Sequence, residues 1–169
     1  MGELANHPLT PIGSSKHATI CTKSDFMSLD NSVTRLYVGS NCNDASLTVL
    51  DLSRFLYLRQ LVVGNESLMY VNEVKVIGLS ELKSVEIGMN SFTKHKYSHG
   101  YDPNRRFYLK NCPKLKSLKV GRFSFSDYTV IEIENVDMLE VIEMAELNEW
   151  SHNFAYASLE LKSDIIHIE

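Results

Sequence analysis

The stretch Leu82-Lys-Ser-Val85-Glu-Ile87-Gly88-Met-Asn90-Ser-Phe92 decides how this chain is built. Its first seven residues have the form Leu-x-x-Leu-x-Val-Gly, and close variants occur at Val33, Leu58, Leu115 and Leu139. The steps between the five starts are 25, 24, 33 and 24 residues. A near-constant step of this size marks stacked supersecondary units, each too small to bury its own apolar side. Val85 and Ile87 alternate with polar residues, which is the period of a half-buried strand.

A second alternating series lies between the heptapeptides. It reads Leu50-Asp-Leu52, Val74-Lys-Val76, Phe107-Tyr-Leu109, Ile131-Glu-Ile133 and Leu159-Glu-Leu161. One unit is therefore strand, turn, strand, turn. Stacking pairs like strand with like strand. Leu36, Leu61, Val85, Leu118 and Ile142 are expected to form one inward ladder, beside Val38, Val63, Ile87, Val120 and Met144. The second strands contribute Leu50, Val74, Phe107, Ile131 and Leu159, beside Leu52, Val76, Leu109, Ile133 and Leu161. The glycine after each first strand is expected at a sharp turn, where positive φ or close backbone approach favours it. Ala145 breaks that pattern in the last unit.

The extended motif fits the pattern Leu-x-x-Leu-x-Leu-x-x-Asn-x-Leu at every key position from Leu82 to Phe92. Leu58–Leu68 departs at Glu66, and Leu115–Phe125 departs at Phe123. On these residues the chain resembles leucine-rich repeat proteins. It is similar in particular to the divergent kind abundant in single-celled eukaryotes, with Gly after the strand and Phe four residues later (Phe92, Phe125). The resemblance implies a right-handed curved solenoid, parallel strands on the concave face and a role in protein binding. The strand-like back of each coil implies two parallel sheets and a flatter curve than a horseshoe with helices.

The expected fold is thus mostly β: about five two-strand coils with a short N-terminal strand and helix as a cap. Residues 1–17 read as a flexible leader and 18–169 as one domain. Within it, 18–32 form the cap, 33–163 the coils and 164–169 a terminal strand. In the cap, Ala18–Thr22 suits a strand, and Ser24–Asp30 suits a helix with Ser24 as N-cap and Asp25 in its first turn. Asp164-Ile-Ile-His-Ile168 either caps the stack or pairs with another chain.

Composition excludes several classes. A net charge of -4 argues against wholesale nucleic-acid binding. No apolar run reaches the ~18 residues of a membrane span. The start lacks the basic and apolar sequence of a secretory signal. Cys21, Cys42 and Cys112 are odd in number and widely spaced, which does not read as a disulfide framework and suggests a reducing, cytoplasmic setting.

The 33-residue step holds an insertion from Lys94 to Arg106. It carries Lys94, Lys96, Arg105 and Arg106 with Tyr97 and Tyr101, and is expected to project as a binding loop. Cations and aromatics together can grip single-stranded nucleic acid. The acidic balance favours a protein partner instead, since Tyr and Arg anchor interfaces. His95 and His99 are spaced as metal ligands on a helix, but Gly100 and Pro103 oppose a helix there. No metal and no cofactor is expected, and no catalytic motif is legible, so an enzyme is not expected.

Outward strand positions carry the remaining signal. They run Tyr37, Val62, Glu86, Lys119, Glu143 at the fifth heptapeptide residue and Arg35, Gln60, Ser84, Ser117, Val141 at the third. Opposite charges in register mostly stabilise the stack. Tyr37 and Val62 beside Arg35 are expected to remain as exposed apolar neighbours of the kind that mark a partner surface. The acidic last third, against a basic Lys110–Arg122, also fits head-to-tail self-association.

Overall fold

The computed structural model describes residues 16–145 and 151–163. The described chain is mostly β, with 37% strand and 4% helix. Two sheets form, and every pairing in both is parallel. The first sheet holds β1 (His17–Ile20), β2 (Arg35–Val38), β4 (Gln60–Val63), β6 (Ser84–Ile87), β8 (Ser117–Val120) and β10 (Val141–Met144), in that order. The second holds β3 (Val49–Asp51), β5 (Glu73–Ile77), β7 (Asp102–Lys110), β9 (Tyr128–Glu134) and β11 (Ser158–Lys162), also in chain order. From β2 onward the chain alternates between the sheets, and each circuit lays its strands beside those of the one before.

The registers match the expected ladders. Leu36 pairs with Leu61, Leu61 with Val85, Val85 with Leu118 and Leu118 with Ile142. In the second sheet Leu50, Val74, Phe107, Ile131 and Leu159 align in turn. Leu36, Leu61, Val85, Leu118, Leu50, Val74, Phe107 and Ile131 are all buried. Each such leucine contributes about 2 kcal/mol by leaving water. The last members do not follow: Ile142, Leu159 and Leu161 are 44%, 54% and 60% exposed. They lie on β10 and β11, which end their sheets and have a neighbour on one side only. Inwardness along a strand requires a further circuit to cover it, and none of the described residues supplies one.

A third ladder runs through the loops that follow the first-sheet strands. Asn41, Glu66, Asn90 and Phe123 occupy equivalent left-handed positions, with φ of 59°, 56°, 55° and 61°. Each donates its amide to the next circuit, Asn41 to Asn65, Glu66 to Met89, Asn90 to Arg122 and Phe123 to Ser151. Two residues on, Phe92, Phe125 and Phe154 stack face to face, with centroids 4.6 and 4.8 Å apart. Between these positions a buried serine bridges circuits. Ser67 Oγ donates to the Gly39 carbonyl at 2.6 Å, and Ser91 Oγ to that of Gly64 at 2.7 Å. Ser124 Oγ makes the same bond to Gly88 at 2.5 Å. Gly64, Gly88 and Gly121 are needed for this close approach rather than for positive φ. A Cβ on Gly88 would stand 2.7 Å from the backbone carbon of Gly64.

The cap differs from expectation in detail. The helix α1 spans Lys23–Ser28, and its N-cap is Thr22 rather than Ser24. Thr22 and Asp25 form a reciprocal capping box, Thr22 Oγ1 accepting from the Asp25 amide while Asp25 accepts from the Thr22 amide. The Cys21 amide also donates to this carboxylate, and its bond, with that of the Thr22 amide, holds the Asp25 carboxyl below its usual range. Phe26 of α1 packs edge-on against Phe55, and Arg54 lies over both rings. Of the residues expected in the leader, His17 is in β1 and Lys16 exchanges hydrogen bonds with Thr34, so both are part of the first sheet's edge. Residues 1–15 and the expected terminal strand 164–169 lie outside the described residues.

The reading of the cysteines is overturned. Cys21 and Cys42 form a disulfide with Cα atoms 4.7 Å apart, fastening the cap to the first circuit. Two cysteines 21 residues apart become neighbours because the parallel pairing of β1 and β2 superimposes the loops that follow them. Cys112 is the free cysteine; it is buried, and burial pushes its thiol up to about 11. The native protein should therefore show no thiol reactive at mildly alkaline pH. Denaturation without reductant should release one thiol, and denaturation after reduction three. Reduction should also lower stability by about 3 kcal/mol, as expected for a loop of this length. Three titratable thiols without reductant would refute the bond.

Candidate functional site

The outward residues of the first sheet form two columns. Tyr37, Val62, Glu86, Lys119 and Glu143 align across β2, β4, β6, β8 and β10, as do Arg35, Gln60, Ser84, Ser117 and Val141. The register thus brings the candidate partner-binding residues Arg35, Tyr37, Gln60, Val62, Glu86, Lys119 and Glu143 onto one sheet. Their environments are less uniform than the sequence suggests. Tyr37 and Val62 are half-buried, and Tyr37 stacks on His17 of β1 with centroids 6.1 Å apart. Lys119 pairs with Glu143 at 3.1 Å, while Glu86 joins no ion pair among the described residues. On the second sheet Lys110 binds both Glu132 and Glu134, and these partners raise its pKa, the Glu132 hydrogen bond most.

A further row was not singled out by the sequence reading, although it is visible there as the second residue of each heptapeptide. It runs Thr34, Arg59, Lys83, Lys116 and Glu140 at the margin of the same sheet. Backbone hydrogen bonds link these positions in turn: Arg59 to Thr34, Lys83 to Arg59, Lys116 to Lys83 and Glu140 to Lys116. Arg35, Arg59, Gln60, Lys83 and Ser84 line a shallow groove of about 360 Å³.

The insertion does not gather its cations. Lys96 turns back to Glu66, its Nζ 2.6 Å from Oε2, and the Tyr97 hydroxyl donates to the same carboxylate at 3.3 Å. The Lys96 bond holds the Glu66 carboxyl below its usual range. Glu66 is the residue that departs from Asn in the motif, and it anchors the inserted segment. Asp102 to Arg106 is strand rather than loop, forming the start of β7. Arg106 is exposed there, opposite Glu73. Arg105 is fully buried, against the expectation of a projecting loop cation. Its Nη1 donates to the Phe92 carbonyl at 3.1 Å and lies 3.3 Å from Asp127 Oδ1, and its Nη2 donates to the Met69 carbonyl. Those three partners sit in the loops of three successive circuits. Tyr128 beside it is buried, and desolvation raises its phenol well above the usual range. Lys94, Tyr97 and Tyr101 remain exposed.

The loop instead joins an aromatic row with the last circuit. Tyr97 meets Phe123, Phe123 meets His152, His152 stacks on His99 at 4.8 Å, and Tyr156 lies between His99 and Tyr101. His152 and Tyr156 gave no sequence signal, because they become neighbours of the insertion only when circuits stack. His99 is thus engaged with rings, and His95 contributes its amide to Thr93 Oγ1.

A second hollow lies at the end of the sheets, bordered by Ile133, Val136, Leu139, Ile142 and Leu161. Among the described residues no helix is long and apolar enough to cross a membrane. No protein-family model matches the chain, and no curated protein or solved structure was found to be similar to it.

Proposed function

We propose that this chain is a non-catalytic protein-binding module with a leucine-rich-repeat-like architecture, a right-handed solenoid of about five two-strand coils. The partner rests on the outer face of the first sheet, on Arg35, Tyr37, Gln60, Val62, Glu86, Lys119 and Glu143. The observation that carries this reading is the register, which sets these side chains in two straight columns on parallel strands. A rigid sheet presents such a face without further ordering, so little conformational entropy is lost on binding. Half-buried Tyr37 and Val62 give an apolar centre flanked by charges, as in the anchors of protein interfaces. The double variant Tyr37→Ala/Val62→Ser should lose, by at least about ten-fold, the proteins that wild type retains from extracts of the encoding organism. Unchanged retention, read by quantitative mass spectrometry, would discard this face.

Self-association is the second reading, favoured by the end of the two sheets, where no further strand is found among the described residues. Met138, Val141, Ile142, Leu159 and Leu161 are all between 43% and 60% exposed there. Light scattering over a range of concentrations tests it: a strict monomer removes this reading. As for location, the Cys21–Cys42 bond supports an oxidising compartment over the reducing cytoplasm read from the cysteine count.

A further inference from the structure

The row at the margin of the first sheet stacks like charges. Neighbouring strands lie about 4.8 Å apart, so Arg59 stands over Lys83 and Lys83 over Lys116. Like charges directly opposite on adjacent strands destabilise a sheet. Lys116 is relieved by Glu140 at 3.5 Å. Arg35, Arg59 and Lys83 form no ion pair among the described residues and are exposed. Glu81, the carboxylate whose field Arg59 and Lys83 share, is already hydrogen-bonded to Lys114 at 2.6 Å. The same three cations line the groove of about 360 Å³. Its other walls, the Gln60 amide and Ser84 hydroxyl, have no hydrogen-bond partner among the described residues. Three unpaired cations and two unused polar groups thus converge on one concavity.

We propose that this groove binds a short acidic segment of a protein partner, its Asp or Glu carboxylates pairing with Arg35, Arg59 and Lys83. This rests on the reading of the first sheet as the protein-binding face and names the chemistry that face selects. The groove crosses three strands, about 10 Å, which three residues of extended peptide span. Beyond it the cations are paired, Lys116 with Glu140 along the row and Lys119 with Glu143 in the adjacent column, and Glu86 adds a carboxylate with no ion pair among the described residues. A long polyanion such as nucleic acid or a sulfated glycan would find no further unpaired cation there and would meet Glu86, whereas a short acidic segment needs only the three cations of the groove. Tyr37 and Val62, in the next column of β2 and β4, offer apolar contact to neighbouring side chains of a peptide.

Fluorescence anisotropy with the full chain tests the assignment. The probe is a fluorescein-labelled peptide with three consecutive glutamates flanked by Gly and Ser; the comparators are its glutamine counterpart, a short single-stranded oligodeoxynucleotide and a heparin oligosaccharide. Saturable, salt-sensitive binding of the glutamate peptide is expected, weaker by at least about ten-fold for the glutamine peptide and for Arg59→Ala/Lys83→Ala. Lys23→Ala, a cation of the cap, should bind as wild type does. Thermal melts confirm that the variants fold, since both replaced side chains are exposed. Absence of saturable binding, equal binding by the double variant, or tighter binding of the oligonucleotide or heparin overturns the proposal. The partner-capture assay separates the two readings. Loss with Tyr37→Ala/Val62→Ser but not with Arg59→Ala/Lys83→Ala keeps the face and rejects the groove. Loss with neither rejects both.

Discussion

Replacing Arg105 by leucine is expected to destabilise the protein by about 3 to 5 kcal/mol, a large part of the stability of a domain this size. The guanidinium is fully buried and is shared among the Phe92 and Met69 carbonyls and Asp127. Leucine occupies similar space but leaves Asp127, itself 1% exposed, without its cation. Two carbonyls would also lose a charged donor. The loss belongs to the orphaned carboxylate more than to the missing attraction. The double variant Arg105→Leu/Asp127→Leu should therefore recover much of it, because both desolvation costs then vanish. Arg105→Lys should fall between, since an ammonium cannot reproduce the planar fork. Urea midpoints measure all three, and a single-variant cost under about 1 kcal/mol would refute this account.

Gly121→Ala should cost about 3 kcal/mol, at the upper end for overpacking. A Cβ there would stand 2.5 Å from the backbone carbon of Gly88 and 2.6 Å from the Met89 nitrogen. Backbone atoms of a neighbouring strand cannot step aside as a side chain can, so β8 would have to part from β6. Ser124 would then lose its bond to the Gly88 carbonyl. Gly78→Ala is the contrast: at φ +71° with nothing within 4 Å, it adds no contact and costs only the left-handed strain of about 1 to 2 kcal/mol. Equal losses at both sites, by thermal or urea unfolding, would show that close approach is not the reason for Gly121.

Much of the architecture was legible because it is local. The alternation of Leu118, Lys119 and Val120 dictates which side chains share a face, and the spacing of the heptapeptides aligns those faces. The outward columns, and the face they form, follow from the same two facts. The capping box is also written in the sequence as Thr22-Lys-Ser-Asp25, where the reciprocal partner three residues on makes Thr22, and not Ser24, the N-cap. The basic groove was half legible. Arg59 and Lys83 recur at the second heptapeptide position, but alternation points outward only at the third and fifth, so nothing in the sequence shows that the second joins them on the face.

The rest depends on what the stacking places side by side. The joining of Cys21 to Cys42 follows from the pairing of β1 with β2, which no count of cysteines contains. Arg105 reads as a loop cation because its neighbours are polar, and it is buried because three loops from different circuits supply its acceptors. Ile142 and Leu161 read as core, and they are exposed because inwardness also needs a next strand, which none of the described residues supplies. By itself the sequence determined the strands, their facing and their register, since side-chain alternation and period are properties of the chain. Only the tertiary structure decided which distant groups meet across circuits, and so which charges are buried, which are paired and which stay open to a partner.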